Sequence, residues 1–452
     1  MLIEFSVENF LSFRDKVTLS MVASSDDELE ASLIKGEDKD FRLSKAAVVY
    51  GANGSGKSNL IKAMLFMQKY VLTSMMDIEK TELRVVPFKL DLGREEEPTE
   101  FEINFIDKGV KYSYGFALNR WFITREWLYS YPKTQKRLLF TRDCDDISGE
   151  YDYVFGGHWE GEKKKLTPLV REDSLFISVA ASLNNPLAKV VLDFFRRMNI
   201  VTTNQLRKDI LGISTRGLIH NNKRLTNQVL SFLKTADLGI KGIKLKETPV
   251  GELLGRYLEV PLSQQEAIKK DGLKEPINDK TVEVLTLHDA VDKEGKATEV
   301  LFSLKEESDG TQKIFALSAS ITGALLTGSI LVIDELDAQV HPLITRALIK
   351  LFQSEQNSEN AQLIITTHDS SLLDQETLRR DQIWFTEKDE YSSSQLYSLF
   401  EFKPRKGENF RRGYLDGRYG GIPFLTSNFS FHQEQDHQEE TEGKSDEQKE
   451  QN

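Results

Sequence analysis

The stretch Gly51-Ala52-Asn53-Gly54-Ser55-Gly56-Lys57-Ser58 constrains this chain more than any other. It fills every fixed position of the G-x-x-x-x-G-K-[ST] pattern. The apolar run Ala46-Ala47-Val48-Val49-Tyr50 leads into it, and the helix-favouring Asn59-Leu60-Ile61-Lys62-Ala63-Met64-Leu65 follows. The loop is therefore predicted to join a buried strand to a helix N-terminus. Glycines let the backbone curl so that several N–H groups point at one phosphate. The helix dipole adds partial positive charge at the same place. Lys57 is placed to neutralise the outer phosphates, and the Ser58 hydroxyl to ligate Mg²⁺. The pattern predicts a nucleoside triphosphate site, with Gly51, Asn53, Gly54, Ser55, Gly56, Lys57, Ser58 and Asn59 around the phosphates.

A chain of 452 residues is long for one domain, so two or three lobes are expected. With 39% hydrophobic and 29% charged residues, it has the makings of a globular protein with an ample core. Cys144 is the one cysteine, which rules out an intrachain disulfide and fits a reducing cytoplasm. The acids of Asp143-Cys144-Asp145-Asp146 oppose a thiolate, which favours an inert loop cysteine over a reactive one. The N-terminus lacks the basic and apolar regions of a signal peptide. The longest apolar stretches, such as 314–326, are too short to span a bilayer. Half of the net charge of −12 lies in 433–452, where eight acids face two lysines with nothing apolar to bury. Residues 427–452 are therefore expected to form an acidic, disordered tail.

Residues 2–7 and 17–21 read as strands flanking Asn9-Phe10-Leu11-Ser12-Phe13-Arg14. Alternating or apolar runs predict further strands at 83–90, 99–106, 111–118 and 122–131, with a hairpin turn at Asp107-Lys108-Gly109. Residues 175–198 are helical in period, the better segment starting at Asn184-Asn185-Pro186, and 224–236 is an amphipathic helix. Between about 200 and 295 periodicity weakens, which suggests an inserted helical lid with small strands. No sustained heptads mark a long coiled coil. From 299 the pattern sharpens into strand, helix (311–326), strand (330–333), helix (342–352), strand (363–366) and strand (382–386). Such alternation argues for an α/β fold with a parallel sheet covered by helices. The expected division is 1–185 (first half of the nucleotide lobe), 186–297 (insertion), 298–426 (second half) and 427–452 (tail).

Leu331-Val332-Ile333-Asp334-Glu335 is an apolar strand ending in two carboxylates. Asp334 is placed to hold Mg²⁺ through water, and Glu335 to orient or deprotonate the attacking water. Leu363-Ile364-Ile365-Thr366-Thr367-His368 is a second such strand, whose His368 can touch a γ-phosphate. Glu307-Ser308-Asp309-Gly310-Thr311-Gln312 opens a helix. It reads either as a second anion site or as an ordinary N-cap through Ser308, Asp309 or Thr311. Gln68 lies inside the phosphate-loop helix and is expected at the surface.

In this order, the phosphate loop, Ser308 to Gln312, Asp334-Glu335, Asp337 and His368 resemble an ABC-type ATPase head: a mixed sheet with helices, a split P-loop lobe and an inserted lid. Ser308 to Gln312 matches the signature motif loosely, with Glu307 where the family has Leu and Asp309 where it has Gly. Glu335-Leu336-Asp337-Ala338-Gln339-Val340-His341-Pro342 resembles the D-loop of stand-alone bacterial ABC ATPases related to OLD (overcoming lysogenisation defect) proteins. Ile3 to Phe10 with Ser12-Phe13, and Gly417-Arg418-Tyr419-Gly420-Gly421-Ile422-Pro423, are similar to the same group and to SMC-like heads. The nearest resemblance is to RloA-like, abortive-infection ATPases.

The resemblance implies an Mg²⁺-dependent ATPase whose heads pair around two ATP molecules. Lys57, Glu335 and His368 would be catalytic, Ser58 and Asp334 would hold the metal, and Asp337 would join the nucleotide contacts. Ser308 and Gly310 would act across a homodimer or higher homo-oligomer. It further implies bacteriophage defence with a separately encoded, nuclease-like effector, since no Toprim nuclease segment follows Pro423. Protein is the favoured partner, nucleic acid the second, and a membrane is not expected. The alternatives are an SMC-like DNA-repair or DNA-clamping ATPase, a transporter subunit, and a scaffold that binds ATP only to assemble. Residues 411–419 are a candidate docking strip, or else a basic loop closing the sheet.

Overall fold

Only a strand covered on both faces can be apolar at every position, and Ala46–Gly51 is buried throughout. Its environment comes from distant parts of the chain, as the structure, a computed structural model, makes plain. It describes residues 1–36, 41–76, 83–133, 135–145, 147–202, 215, 222–235, 239–249, 280–405 and 407–423. The expected tail at 427–452 and most of the expected lid between 200 and 280 lie outside the described residues. Met1–Ile422 form one unit. Among the described residues, no helix is long and apolar enough to cross a membrane.

The chain opens with β1 (Leu2–Glu8) and β2 (Val17–Ser20), then the short pair β3 (Leu33–Lys35) and β4 (Arg42–Ser44). β5 (Ala46–Gly51) and α1 (Lys57–Thr73) flank the phosphate loop. A meander follows: β6 (Thr99–Asp107), β7 (Val110–Leu118), β8 (Ile123–Tyr131), β9 (Arg137–Cys144) and β10 (Tyr151–Phe155). The turn between β6 and β7 falls at Lys108-Gly109, both at positive φ, as a tight hairpin requires. The helices α2 (Lys163–Leu166), α3 (Phe176–Ser182) and α4 (Pro186–Arg196) lead to β11 (Met198–Val201). Asn185 caps α4 through the Ala188 N–H.

The middle of the chain contributes α5 (Lys223–Thr235), β12 (Gly242–Pro249), β13 (Lys280–Val291) and β14 (Ala297–Ser303). Then come α6 (Asp309–Thr327), β15 (Ile330–Ile333), α7 (Pro342–Gln353), β16 (Gln362–Thr366), β17 (Ile383–Lys388), β18 (Ser394–Ser398) and α8 (Phe410–Leu415).

The meander joins β1 and β2 in a seven-stranded antiparallel sheet, β10-β9-β8-β7-β6-β1-β2. The second sheet, β11-β15-β16-β5-β17-β18, is parallel except for β18. The third sheet, small and antiparallel, is β12-β13-β14. Helix α1 lies between the two large sheets: Leu60, Ile61, Met64 and Met67 share a core with Phe101, Phe105 and Phe116 and with Val49, Val332 and Ile364. Ala46, Val48 and Tyr50 face the other way, toward α6 and α7. The α/β class and the split P-loop lobe expected from the motif order are what the sheet shows.

Two expectations need correction, and one of two alternative readings is favoured. Residues 83–90 form no strand; their N–H groups pair singly, Leu83 with the Arg120 carbonyl and Phe88 with Asn9 Oδ1, which builds no ladder. Cys144 closes β9 and is not in a loop. In the 411–419 strip, Tyr414 and Tyr419 are buried against Phe385, and the Tyr414 hydroxyl donates to the Gly421 carbonyl, so the strip closes the sheet.

One charged pair sits wholly inside the N-terminal half. Glu126 on β8 is fully buried and accepts from the Phe176 and Ile177 N–H groups and the Tyr114 hydroxyl. It thereby caps α3, whose own N-cap residue supplies no side-chain bond. Burial pushes its carboxyl up, opposed first by Arg142, whose Nη1 lies 3.9 Å away. Arg142 also donates to the Ser174 and Arg171 carbonyls. Arg142→Met should strand a buried carboxylate and destabilise the fold by about 3 kcal/mol, measured by urea unfolding. A loss within experimental error would mean that the backbone bonds alone satisfy Glu126.

Candidate functional site

The C-terminal ends of β5, β15, β16 and β17 lie side by side, in register Ile333↔Ile365, Ile365↔Val48 and Thr386↔Gly51. An open α/β sheet binds its ligands outside that edge. The phosphate loop crosses it. A Cβ on Gly51 would come within 2.4 Å of Thr386 Oγ1, and one on Gly56 within 2.5 Å of Ser394 Oγ. Gly54 and Gly56 have φ of 76° and 119°, which favour glycine. Ser55 Oγ bonds Thr386 Oγ1 at 2.6 Å, fixing the loop to the sheet. Asn53 and Gly54 are exposed at its tip. Asn59 turns its amide to Ser12 Oγ at 2.8 Å, and Ser12 also accepts from Ser394 Oγ, so the Ser12-Phe13 segment braces the loop.

Helix α1 starts without a side-chain cap and without an acid in its first turn. By contrast, α4, α6, α7 and α8 each carry a side-chain cap. Its first N–H groups are thus left to an outside acceptor, which fits a phosphate. Lys57 is buried, its Nζ donating to the Gly51 and Ala52 carbonyls at 2.8 and 3.0 Å. Burial lowers the ammonium's pKa, while Glu335, Asp334 and Asp337 pull it back up.

Asp334 draws the edge together. Its Oδ1 accepts from Ser58 Oγ at 3.1 Å and from Thr366 Oγ1 at 2.7 Å. Thr366 Oγ1 in turn accepts from the Glu335 N–H. A hydroxyl and a single carboxylate are a sparse, hard-oxygen set; Mg²⁺ commonly completes such a set with water and phosphate oxygens. Among the described residues, no cluster of three His, Cys, Asp or Glu could hold a metal unaided. Ser58 and Asp334 therefore fit Mg²⁺ that arrives with a nucleotide.

Glu335 has φ of 50°, a left-handed conformation that a non-glycine residue adopts at a cost of about 1 kcal/mol. Two partners hold it there. Thr366 takes its N–H. Lys313 on α6, 4% exposed, donates to the carbonyls of Glu335, Leu336 and Ala338. Lys313 was not among the residues anticipated from sequence. The signal available was a lysine on the apolar side of a helix, followed by Ile314 and Phe315. Asp337 Oδ2 accepts from the His368 N–H at 3.1 Å, so the segment after β15 is tied to the end of β16. Partial withdrawal from water, then the Lys57 charge, lower the His368 pKa from 6.5; Asp337, Glu335 and Asp334 oppose them.

Lys57, Ser58, Asp334, Glu335, Asp337 and His368 are thus gathered at one edge. Among the described residues, no hydrogen bond joins Ser308 or Gly310 to 51–58. Ser308 is the N-cap of α6, accepting from the Thr311 N–H at 3.2 Å. Gly310 packs so closely that a Cβ would lie 2.8 Å from the Gln339 carbonyl oxygen. Gln68 is half-buried and not at the surface as expected: its amide donates to the Phe195 and Met198 carbonyls, anchoring α1 to the turn before β11.

Residues 46–374 match the family model described as AAA domain, putative AbiEii toxin, type IV TA system. The chain belongs to this AAA-domain family. The matched segment runs from the first residue of β5 to the stretch just past His368, and thus contains Lys57, Ser58, Asp334, Glu335, Asp337 and His368, while β17 and Thr386 lie beyond it. Among solved structures, an SMC head bound to the C-terminal winged-helix domain of ScpA is 14% identical over 89% of this chain and 99% of that one, with a TM-score of 0.43. The SMC head domain from Thermotoga maritima is 14% identical over 88% and 98%, with a TM-score of 0.39. No curated protein matches the chain.

Two measurements check this geometry. Lys313→Met should leave the Glu335, Leu336 and Ala338 carbonyls short of a donor and destabilise the protein by about 2 kcal/mol in denaturant titration. An unchanged midpoint would mean that the segment rearranges freely. In an NMR titration, the His368 imidazole should show a midpoint below 6.5 and be neutral at pH 7. Lys57→Met removes a nearby cation and should raise that midpoint; a fall would refute the proximity.

Proposed function

We propose that this chain is an Mg²⁺-dependent ATPase working as a nucleotide-driven switch, in which two heads close on two ATP molecules. The observation that carries the reading is the convergence on one sheet edge of an uncapped helix N-terminus, a buried lysine, a hydroxyl–carboxylate pair, a second carboxylate and a histidine. The N–H groups of the loop and of the first turn of α1 would receive the phosphates. Lys57 would leave the Gly51 and Ala52 carbonyls and direct its charge to the outer phosphate oxygens. Ser58 and Asp334 would hold Mg²⁺, which supplies neutralisation of phosphate charge. Glu335, fixed by Thr366 and Lys313, would take a proton from the attacking water. His368, neutral at pH 7, would donate a hydrogen bond to the γ-phosphate.

Ser308 and Gly310, which among the described residues make no hydrogen bond to their own phosphate loop, would serve the loop of a partner head, which requires a homodimer or higher homo-oligomer. In this reading 1–185 and 298–426 form the two halves of the head, 186–297 is an insertion and 427–452 a tail. The biological role we favour is the regulatory ATPase of a bacterial anti-phage, abortive-infection system of the OLD/RloA-like kind, in the cytoplasm. It would act with a separate, nuclease-like effector protein, with nucleic acid as a further partner. The family's description as a putative toxin of a type IV toxin–antitoxin system supports a place among such systems.

Lys57→Ala is expected to abolish ATP binding in a fluorescent-nucleotide titration. Glu335→Gln should bind ATP and turn over at least about 10²-fold more slowly, the scale for loss of a general base. Mixed Ser308→Arg and Lys57→Ala protomers should recover one working site per dimer. Absence of recovery in heterodimers of verified composition would falsify the trans arrangement.

A further inference from the structure

Glu307, which stands where the ABC-type signature motif has leucine, has partners that the sequence did not reveal. Its Oε1 accepts from Thr286 Oγ1 at 2.5 Å and lies 2.6 Å from His288 Nε2. Thr286 and His288 are two residues apart on β13, so both side chains leave the same face of the inserted sheet. Their cross-strand partners on β14 are Phe302 and Val300. The His288 ring packs on Phe302 with centroids 4.9 Å apart. Thr286 is fully buried, and the side chains of Glu307 and His288 are 8% and 18% exposed. The Glu307 carbonyl accepts from the Gln312 amide at 2.7 Å, which ties the same residue into the first turn of α6. The next residue, Ser308, caps that helix.

A carboxylate withdrawn from water and held by two side chains of another element is a stiff link, since charged hydrogen bonds are strong and directional. We propose that Glu307, held by Thr286 and His288, is a positioning residue that locks the Ser308–Gln312 segment to the inserted sheet. The inserted sheet thereby sets whether Ser308 can meet the nucleotide of a partner head. Leucine at 307 could accept neither bond; glutamate makes the insertion part of the switch. A displacement of β13 would move Ser308 without touching Lys57 or Glu335, so it would alter turnover and leave nucleotide binding as it was.

This inference rests on the paired-head reading above, and the test separates the two. The full chain is assayed for affinity toward a fluorescent ATP analogue and for ATP turnover. Thr286→Val combined with His288→Phe should leave analogue affinity within about twofold and lower turnover at least about tenfold, as expected for lost bonds to a charged group. Glu307→Gln retains an acceptor oxygen and should hold turnover above that of Glu307→Leu. Adding the β13 substitutions to Glu307→Leu should lower turnover no further, because the shared link is already gone. Wild-type turnover in the Thr286→Val, His288→Phe variant overturns the proposal, as does an equal loss of affinity and turnover. Should that variant fail to fold, Thr286→Ser and Thr286→Val decide: serine keeps the hydroxyl and should keep turnover, and equal rates in the two overturn the link. If Lys57→Ala leaves turnover intact, the ATPase reading itself has failed; if only the β13 variants are silent, the link alone has.

Discussion

One oxygen, Asp334 Oδ1, joins distant segments of this chain. It accepts from Ser58, 276 residues upstream, and from Thr366, 32 residues downstream. Each bond is ordinary. Their placement is what matters, because Asp334 is 3% exposed and its carboxylate needs both donors. The phosphate loop, the end of β15 and the end of β16 are thereby held in one plane. Glu335, Asp337 and His368 inherit their positions from that plane. Thr366 passes the constraint on to the Glu335 N–H, and Asp337 to the His368 N–H. The chemistry proposed for the edge depends on this relay more than on any single catalytic side chain.

The same edge shows how unfavourable local terms are retained. Glu335 and Gln339 both adopt left-handed backbone in a five-residue span. Lys313 offsets this by withdrawing an ammonium from water and placing it on three carbonyls of that span. Burial lowers the lysine's pKa, and Asp337 and Glu335 oppose the shift. Strain, a buried cation and two carboxylates are separately costly and mutually compensating, the pattern expected where a backbone must be held for a function rather than for stability.

Much of the fold was legible in the sequence, and the reason is local. Ala46 to Tyr50 is apolar at every position and is followed by glycine; 330–333 and 363–365 are of the same kind and are followed by polar groups. Such runs announce buried parallel strands whatever surrounds them. Asn185 before Pro186 announces a helix start in the same way. What escaped was set by partners distant in sequence. Residues 83–90 alternate like a strand, yet their N–H groups meet single acceptors on Arg120 and Asn9. β9 and β10 went unanticipated although both carry apolar residues; β9 is laddered to β8 and β10 to β9. In the candidate site, the phosphate loop, Asp334, Glu335 and His368 stood out by motif and strand context. Lys313 and the Glu307 partners did not, since a buried lysine and a Thr-x-His pair have no local signature.

The order of the second sheet also governs how the molecule comes into being. β5 lies between β16 and β17, whose last residue is Lys388, so its two hydrogen-bonded neighbours are among the later parts of the chain to be made. On the ribosome, the phosphate loop emerges more than three hundred residues before Thr386, the residue that clamps Ser55. Until then, β5 has an apolar face and two unpaired edges, a condition that invites chaperones or misassembly. The nucleotide site is thus withheld from the nascent chain and delivered late, as one of the final acts of folding.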